Sequence, residues 1–266
     1  MKKLLLLSAL SALAVTIFAQ DSTSRKSEKD QRRLERRQKI NTIARAEEEG
    51  VLVYNKQSIF GVMLRTNGYG LFYELGKMRT TRKTTTYNFE LTEIKDPKED
   101  KLPNGGFSFG NPYIYGKINN FYQLKLGVGQ QYMLGDKGNK NGVAVSAVYN
   151  GGISLGFLRP YYIEVEDVYG NVQTIKYSQD SALFVNGYIR GGGGLGKGWG
   201  EMKLQPGVYA KTGLRFDYGR FNEVVSALEV GVSLEAYAKK IPIMLYQKDK
   251  QLFFQGYITL EFGRRK

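Results

Sequence analysis

The sequence predicts an all-β fold: a closed antiparallel transmembrane β-barrel of eight strands, carrying a charged N-terminal arm. Three observations predict it. From Val51 onward apolar and polar residues alternate with a period of two, over segments close to the ~10 residues that a tilted strand needs to cross a bilayer. Beyond the N-terminal leader no run of about 20 apolar residues occurs, which excludes membrane-spanning helices. Tyr and Phe recur at the ends of the apolar alternations, where an aromatic girdle would lie. Abundant Gly (32) and Tyr (19) with scarce Pro (6) agree with many short strands and turns.

Residues 1–19 read as a secretory signal: Lys2 and Lys3, an apolar run from Leu4 to Phe18, and Ala19 before the expected cut. Residues 20–50 form a charged periplasmic arm, rich in helix formers, that is either solvated or docks as a helix on a partner or an anionic surface. Its candidate contacts are Arg32, Arg33, Arg36 and Arg37.

Residues 51–266 carry the barrel, with strands expected at 58–66, 69–79, 84–95, 121–134, 142–157, 203–218, 224–238 and 251–263. An even count places both barrel termini in the periplasm. The connections then alternate: a tight turn at Asn67-Gly68 and long outer loops at 96–120, 158–202 and 239–250, against short periplasmic turns at Thr80–Lys83, Gly135–Asn141 and Gly219–Glu223. Ala182–Arg190 resembles a further strand but breaks parity, so it belongs to the outer loop, together with a hairpin formed by Tyr161–Val165 and Val172–Tyr177. Ten strands is the alternative, if part of 158–190 enters the membrane.

The polar face of the strands mixes Glu74, Glu90, Lys125, Lys211, Arg215, Asp217, Glu229, Glu235 and Glu261. In an eight-stranded barrel side chains fill the interior, so these charges should pair with one another. A conducting or proton-relaying lumen is the alternative.

Several chemistries are excluded. Without Cys or His there is no thiolate, no disulfide, no His general base and no His or Cys metal ligand. Glu164, Glu166 and Asp167 cluster beside a hairpin turn and read as a solvated loop edge. The stretch GGGGLGKGWG (Gly191–Gly200) partly matches two nucleotide motifs. However, Gly198 stands where a phosphate loop needs Ser or Thr, and Pro206 blocks a following helix. It reads as the hinge into the sixth strand, with Trp199 as an interfacial anchor. The formal charge of +14 suits anionic lipid better than nucleic acid in an exported chain. Lys77, Arg79, Arg82, Lys83, Arg159, Lys239, Lys240, Arg264 and Arg265 are placed to meet headgroups.

The closing strand GYITLEFGRRK resembles the C-terminal strand of Bacteroidota outer-membrane barrels, and Phe18-Ala19-Gln20 resembles the signal ends of the same group. The segments TNGYG (66–70), IKDPKE (94–99), YGK (115–117), SLGFLRPY (154–161), PGVYAK (206–211), ALEVG (227–231) and IPIM (241–244) resemble one uncharacterised family within it. The resemblance implies that Ile258, Leu260 and Phe262 serve as the assembly signal, and it implies no catalytic residues. The expectation is a non-enzymatic outer-membrane barrel without cofactors, a structural or accessory subunit of an envelope assembly or secretion complex. Its partners would be outer-membrane lipids, lipopolysaccharide and other envelope proteins, with no nucleic acid or nucleotide. Tyr113, Tyr115 and Lys117 of the second outer loop are further candidate contacts. The alternatives are a small channel or a histidine-independent lipid-modifying enzyme.

Overall fold

The computed structural model describes residues 31–35, 37, 54–102, 112–138, 142–219 and 223–266. The chain divides into two units, Met1–Val53 and Tyr54–Lys266. In the first, residues 31–35 and 37 are helical and exposed. The expected signal sequence, residues 1–19, and Arg36 lie outside the described residues.

The second unit is built on eight long strands: β1 (Lys56–Arg65), β2 (Gly68–Thr80), β3 (Lys83–Ile94), β6 (Asn119–Gly135), β7 (Ala144–Pro160), β11 (Lys203–Asp217), β12 (Val224–Ile241) and β13 (Lys250–Arg265). They correspond to the eight expected segments, each end within three residues. The ladder runs β1-β13-β12-β11-β7-β6-β3-β2, antiparallel throughout, and β1 pairs with both β13 and β2, so the ring closes. Asn55 N and Lys56 N both donate to Lys266 O at 2.8 Å, clasping the two ends of the unit together. Three short turns share that end. The opposite end carries the long connections.

Five minor strands stand outside the ring: β4 (Lys101–Leu102), β5 (Tyr113–Ile114), β8 (Tyr162–Glu166), β9 (Val172–Lys176) and β10 (Tyr188–Gly192). β4 pairs with β5, and β10-β8-β9 form a separate sheet, so the ten-strand alternative does not occur. The segment that resembled a strand, Ala182–Arg190, is divided: residues 181–186 form a helix, and from Tyr188 the chain is strand β10, outside the ring. Asp180 caps the helix by accepting from Leu183 N at 2.9 Å, and Phe184 is buried beneath it. The first turn is also shifted by one residue. Arg65 pairs with Gly68, so Thr66 and Asn67 make the turn. Gly68 is already a strand residue, and a Cβ there would lie 1.9 Å from Glu93 O on β3.

Polarity is inverted relative to a soluble barrel. Leu124, Leu91, Leu71, Val62, Leu260 and Leu228 form one outward row across six neighbouring strands. The buried inward positions carry Gln57, Glu74, Thr86, Asn88, Gln123, Lys125, Ser154 and their neighbours. Inward aromatic rings fit this narrow interior only because glycines face them. A Cβ on Gly127 would lie 2.2 Å from the Tyr209 hydroxyl and 2.8 Å from Gly151 O. Gly127→Ala is therefore expected to destabilise the barrel by about 1–3 kcal/mol, as overpacking does, read as a lower urea midpoint.

Candidate functional site

The interior is a stack of charge clusters. Six carboxylates (Glu74, Glu90, Asp217, Glu229, Glu235, Glu261) face six cations (Arg65, Lys125, Lys137, Lys211, Arg215, Arg265), all buried. All nine charges expected in the lumen are there. Arg65, Lys137 and Arg265 are additions.

Arg215 holds the lower cluster. Its guanidinium donates to Glu74 at 2.8 and 3.0 Å and to Glu229 at 2.8 and 3.0 Å, and its Nε lies 2.8 Å from Glu261 Oε2. Gln57 and Gln131 extend the network, with Gln57 donating to Gln131 at 2.9 Å. Tyr257 OH donates to Glu229 at 2.8 Å. The upper cluster centres on Glu235. It accepts from Arg65 at 2.6 Å, Gln123 at 2.7 Å, Gln255 at 2.8 Å, and also from Lys125. Lys211 donates to Glu90, which lies 3.7 Å from Lys125 of the upper cluster. Where one strand supplies several of these residues they stand an even number of positions apart, because alternate side chains of a strand share a face.

Both ends are closed. At the turn end Arg265 pairs with Asp217 and lies 5.0 Å from the Tyr54 ring, while Lys137 donates to Gly219 O. At the loop end Phe121, Tyr237 and Phe253 pack against one another with ring centroids 5.2–6.0 Å apart. Above them lie Ile94, Ile114, Leu158, Ile241, Ile243 and Met244. The segment carrying Ile243 is stitched across the mouth: Ile118 N donates to Ile243 O at 2.8 Å, and Leu245 N to Gly116 O at 2.7 Å.

A folded cap surmounts this plug. Ile163, Val165, Ile175 and Phe184 give it a small core of its own. Tyr162 OH donates to Glu201 at 2.7 Å, and Lys176 donates to the other oxygen of the same carboxylate. The Lys176 hydrogen bond holds the Glu201 carboxyl below the usual carboxylate range. A carboxylate depressed in the folded state contributes above its unfolded pKa and is lost as pH falls through the folded one. The clamp is therefore expected to persist from neutral pH down through the usual carboxylate range and to open only as pH falls below that range. Amide exchange of 172–176 against pH checks this.

Between cap and barrel lies a cleft of about 430 Å³, lined by Tyr69, Lys95, Lys101, Asn120, Arg159 and Tyr161 among others. Arg159 does not reach headgroups as expected. It is buried, 4.7 Å from the Trp199 ring and 5.5 Å from that of Tyr122, with Nη1 donating to Leu195 O at 3.1 Å. Arg265 is likewise buried, drawn inward by Asp217.

The remaining candidates separate. Lys117 is 2% exposed and donates to Glu99 at 2.6 Å, so it is not a surface contact, which corrects that expectation. Tyr115 is exposed and stacked on Tyr246, and Tyr113 is half-buried on β5. Arg32, Arg33 and Arg37 are exposed on helical backbone. Ile258, Leu260 and Phe262 point outward. Glu166 is held by Arg190 at 2.6 Å, and Asp167 accepts from Tyr169 N and Asn171 N at 2.8 and 2.9 Å, so both serve the cap's turn. In GGGGLGKGWG, Gly194 and Gly198 take positive φ (80° and 84°) and lead through Trp199–Glu201 into β11, with no helix of phosphate-loop kind. Trp199 stacks on Tyr122 at 5.9 Å.

These features define a class: a small closed barrel, apolar outside, charge-filled inside, with a folded cap on one mouth. No family model and no curated protein matches the sequence. Among solved structures, Ail, the attachment invasion locus protein of Yersinia pestis, crystallised with the heparin analogue sucrose octasulfate, is 12% identical. That match covers 80% of this chain and 100% of Ail, with a TM-score of 0.35. Neisserial surface protein A is 11% identical, with 79% and 96% covered and a TM-score of 0.36. The N-terminal β-barrel domain of Pseudomonas aeruginosa OprF is 10% identical, with 79% and 98% covered and a TM-score of 0.34. Similarity at this level carries nothing about function.

Proposed function

We propose that this chain is a non-enzymatic outer-membrane barrel, acting as a structural or accessory subunit of an envelope assembly through its cap and arm. The observation that carries the reading is the inverted polarity: outward leucines in continuous rows around an interior of paired charges. Such a wall is stable in lipid, where the closed ladder satisfies every strand edge. The resemblance of the closing strand to Bacteroidota barrels supports the same compartment, with the turn end and arm periplasmic. The plugged interior favours a scaffold over a channel. The cap favours recognition, since loops held on a rigid frame are where binding concentrates.

Two measurements test this. The purified protein in planar bilayers is expected to give no discrete conductance steps, and regular openings would support the channel instead. Gentle extraction of the native membrane is expected to recover the chain with envelope proteins, and a monodisperse monomer without them would overturn the subunit role.

A further inference from the structure

Among the described residues, the exposed cations of the turn end lie on one arc of the barrel. Lys56, Lys77, Arg79, Arg82, Lys83 and Arg264 are exposed on β13, β1, β2 and β3. Among the described residues none of them has a carboxylate partner. Lys56 stands directly opposite Lys77 in the ladder, a like-charge pairing that is unfavourable without a counter-anion. Among the described residues, the outward positions of the other arc carry Leu134, Val143, Val145, Tyr218 and Val224, and the exposed charges beside them, Asp136 and Glu223, are acidic. Glu223 adjoins Val224, the partner of Arg264, so Arg264 marks the edge of the cationic arc.

The same four strands carry a second asymmetry. Phe262, Phe60, Tyr73 and Phe89 are cross-strand neighbours in one outward row, each 40–52% exposed. This row lies four residues, roughly 13 Å, along β1 from Lys56. On the opposite wall the row Val128, Gly151, Ala210 and Leu234 is smooth and has no rings. Thus this face of the barrel combines a cationic rim with a continuous aromatic row at acyl-chain depth.

We propose that this face holds an anionic phospholipid, its phosphate against Lys56, Lys77 and Arg79 and its acyl chains against Phe60, Phe262, Tyr73 and Phe89. The site rests on the membrane reading above. Charge complementarity names the headgroup, and continuity with the apolar wall favours a lipid over a soluble anion.

The test uses the full chain, reconstituted first into phosphatidylcholine vesicles. Insertion is scored by protease protection and heat-modifiable gel mobility. Failure to insert into any bilayer would overturn the membrane reading itself and this site with it. For inserted protein, phosphatidylglycerol is titrated and retained lipid counted by native mass spectrometry. Wild type is expected to retain phosphatidylglycerol over phosphatidylcholine, and Lys56→Gln/Lys77→Gln/Arg79→Gln to lose roughly ten-fold or more of that preference. The loop-end set Lys203→Gln/Lys239→Gln/Lys240→Gln is expected to keep it. If the triple variant does not assemble, Lys77→Gln alone is expected to weaken retention about three-fold. Equal retention of both lipids, equal loss in the loop-end set, or full displacement by millimolar inorganic phosphate would each overturn the proposal. The last outcome would make the rim a site for free anions.

Discussion

Replacing Arg215 by methionine is expected to cost the barrel about 3–5 kcal/mol, the usual consequence of removing one partner from a buried ionic network. Three glutamates converge on this one guanidinium. Without it, Glu74, Glu229 and Glu261 would be left in a closed interior whose nearest other cation, Lys211, is engaged with Glu90. Such a loss is a large fraction of the stability of a small domain. The readout is the urea midpoint of the protein in lipid, together with the fraction that migrates as the heat-modifiable form. The compensated quadruple variant Arg215→Met/Glu74→Gln/Glu229→Gln/Glu261→Gln is expected to recover most of the stability, because all three stranded charges go with their partner. Arg215→Lys is expected to fall between, since an ammonium cannot reproduce the forked contacts. A midpoint unchanged in Arg215→Met would show that the lower cluster is not what holds the interior together.

The second large effect lies on the outer wall. Val62→Arg is expected to cost about 2–4 kcal/mol, the penalty for arginine on the lipid face of a barrel near its midplane. Val62 sits in the middle of the leucine row, between Leu71 and Leu260, and is 41% exposed. On a water-facing barrel the same change would be nearly neutral, as most exposed substitutions are. The folded fraction in vesicles therefore separates the two situations, and undiminished assembly would remove the basis for placing this wall in lipid.

Much of this architecture is legible in the sequence, for a physical reason. A strand's period of two sorts each residue inward or outward without knowledge of its neighbours. Glu229 between Leu228 and Val230, or Lys211 between Ala210 and Thr212, could be placed on the polar face from local pattern alone. Pairing is another matter. Arg65 reaches Glu235 across the barrel, 170 residues apart in sequence. No local pattern contains that distance, and Arg65 lay beside a turn where the alternation ends. Arg159 and Arg265 looked like rim charges because strand-end cations usually are. Tertiary contacts with Trp199 and Asp217 overrode that preference. The cap was legible in part: β8 and β9 pair where Tyr161–Val165 and Val172–Tyr177 were expected to form a hairpin. Its helix of six residues was not, being too short for a helical period to declare itself.

The clasp between Lys56 and Lys266 bears on how such a barrel comes to exist. Every other junction of the ring joins strands closer in sequence than β1 and β13. The entropy of loop closure grows with separation, so this seam is the slowest to form. Until β13 is made, β1 and β12 each present an open edge of unsatisfied N–H and C=O groups. Hydrocarbon does not tolerate such edges. On the membrane reading proposed above, the half-made sheet must therefore be sheltered from lipid, and the chain would enter the bilayer alone only once it has become a ring.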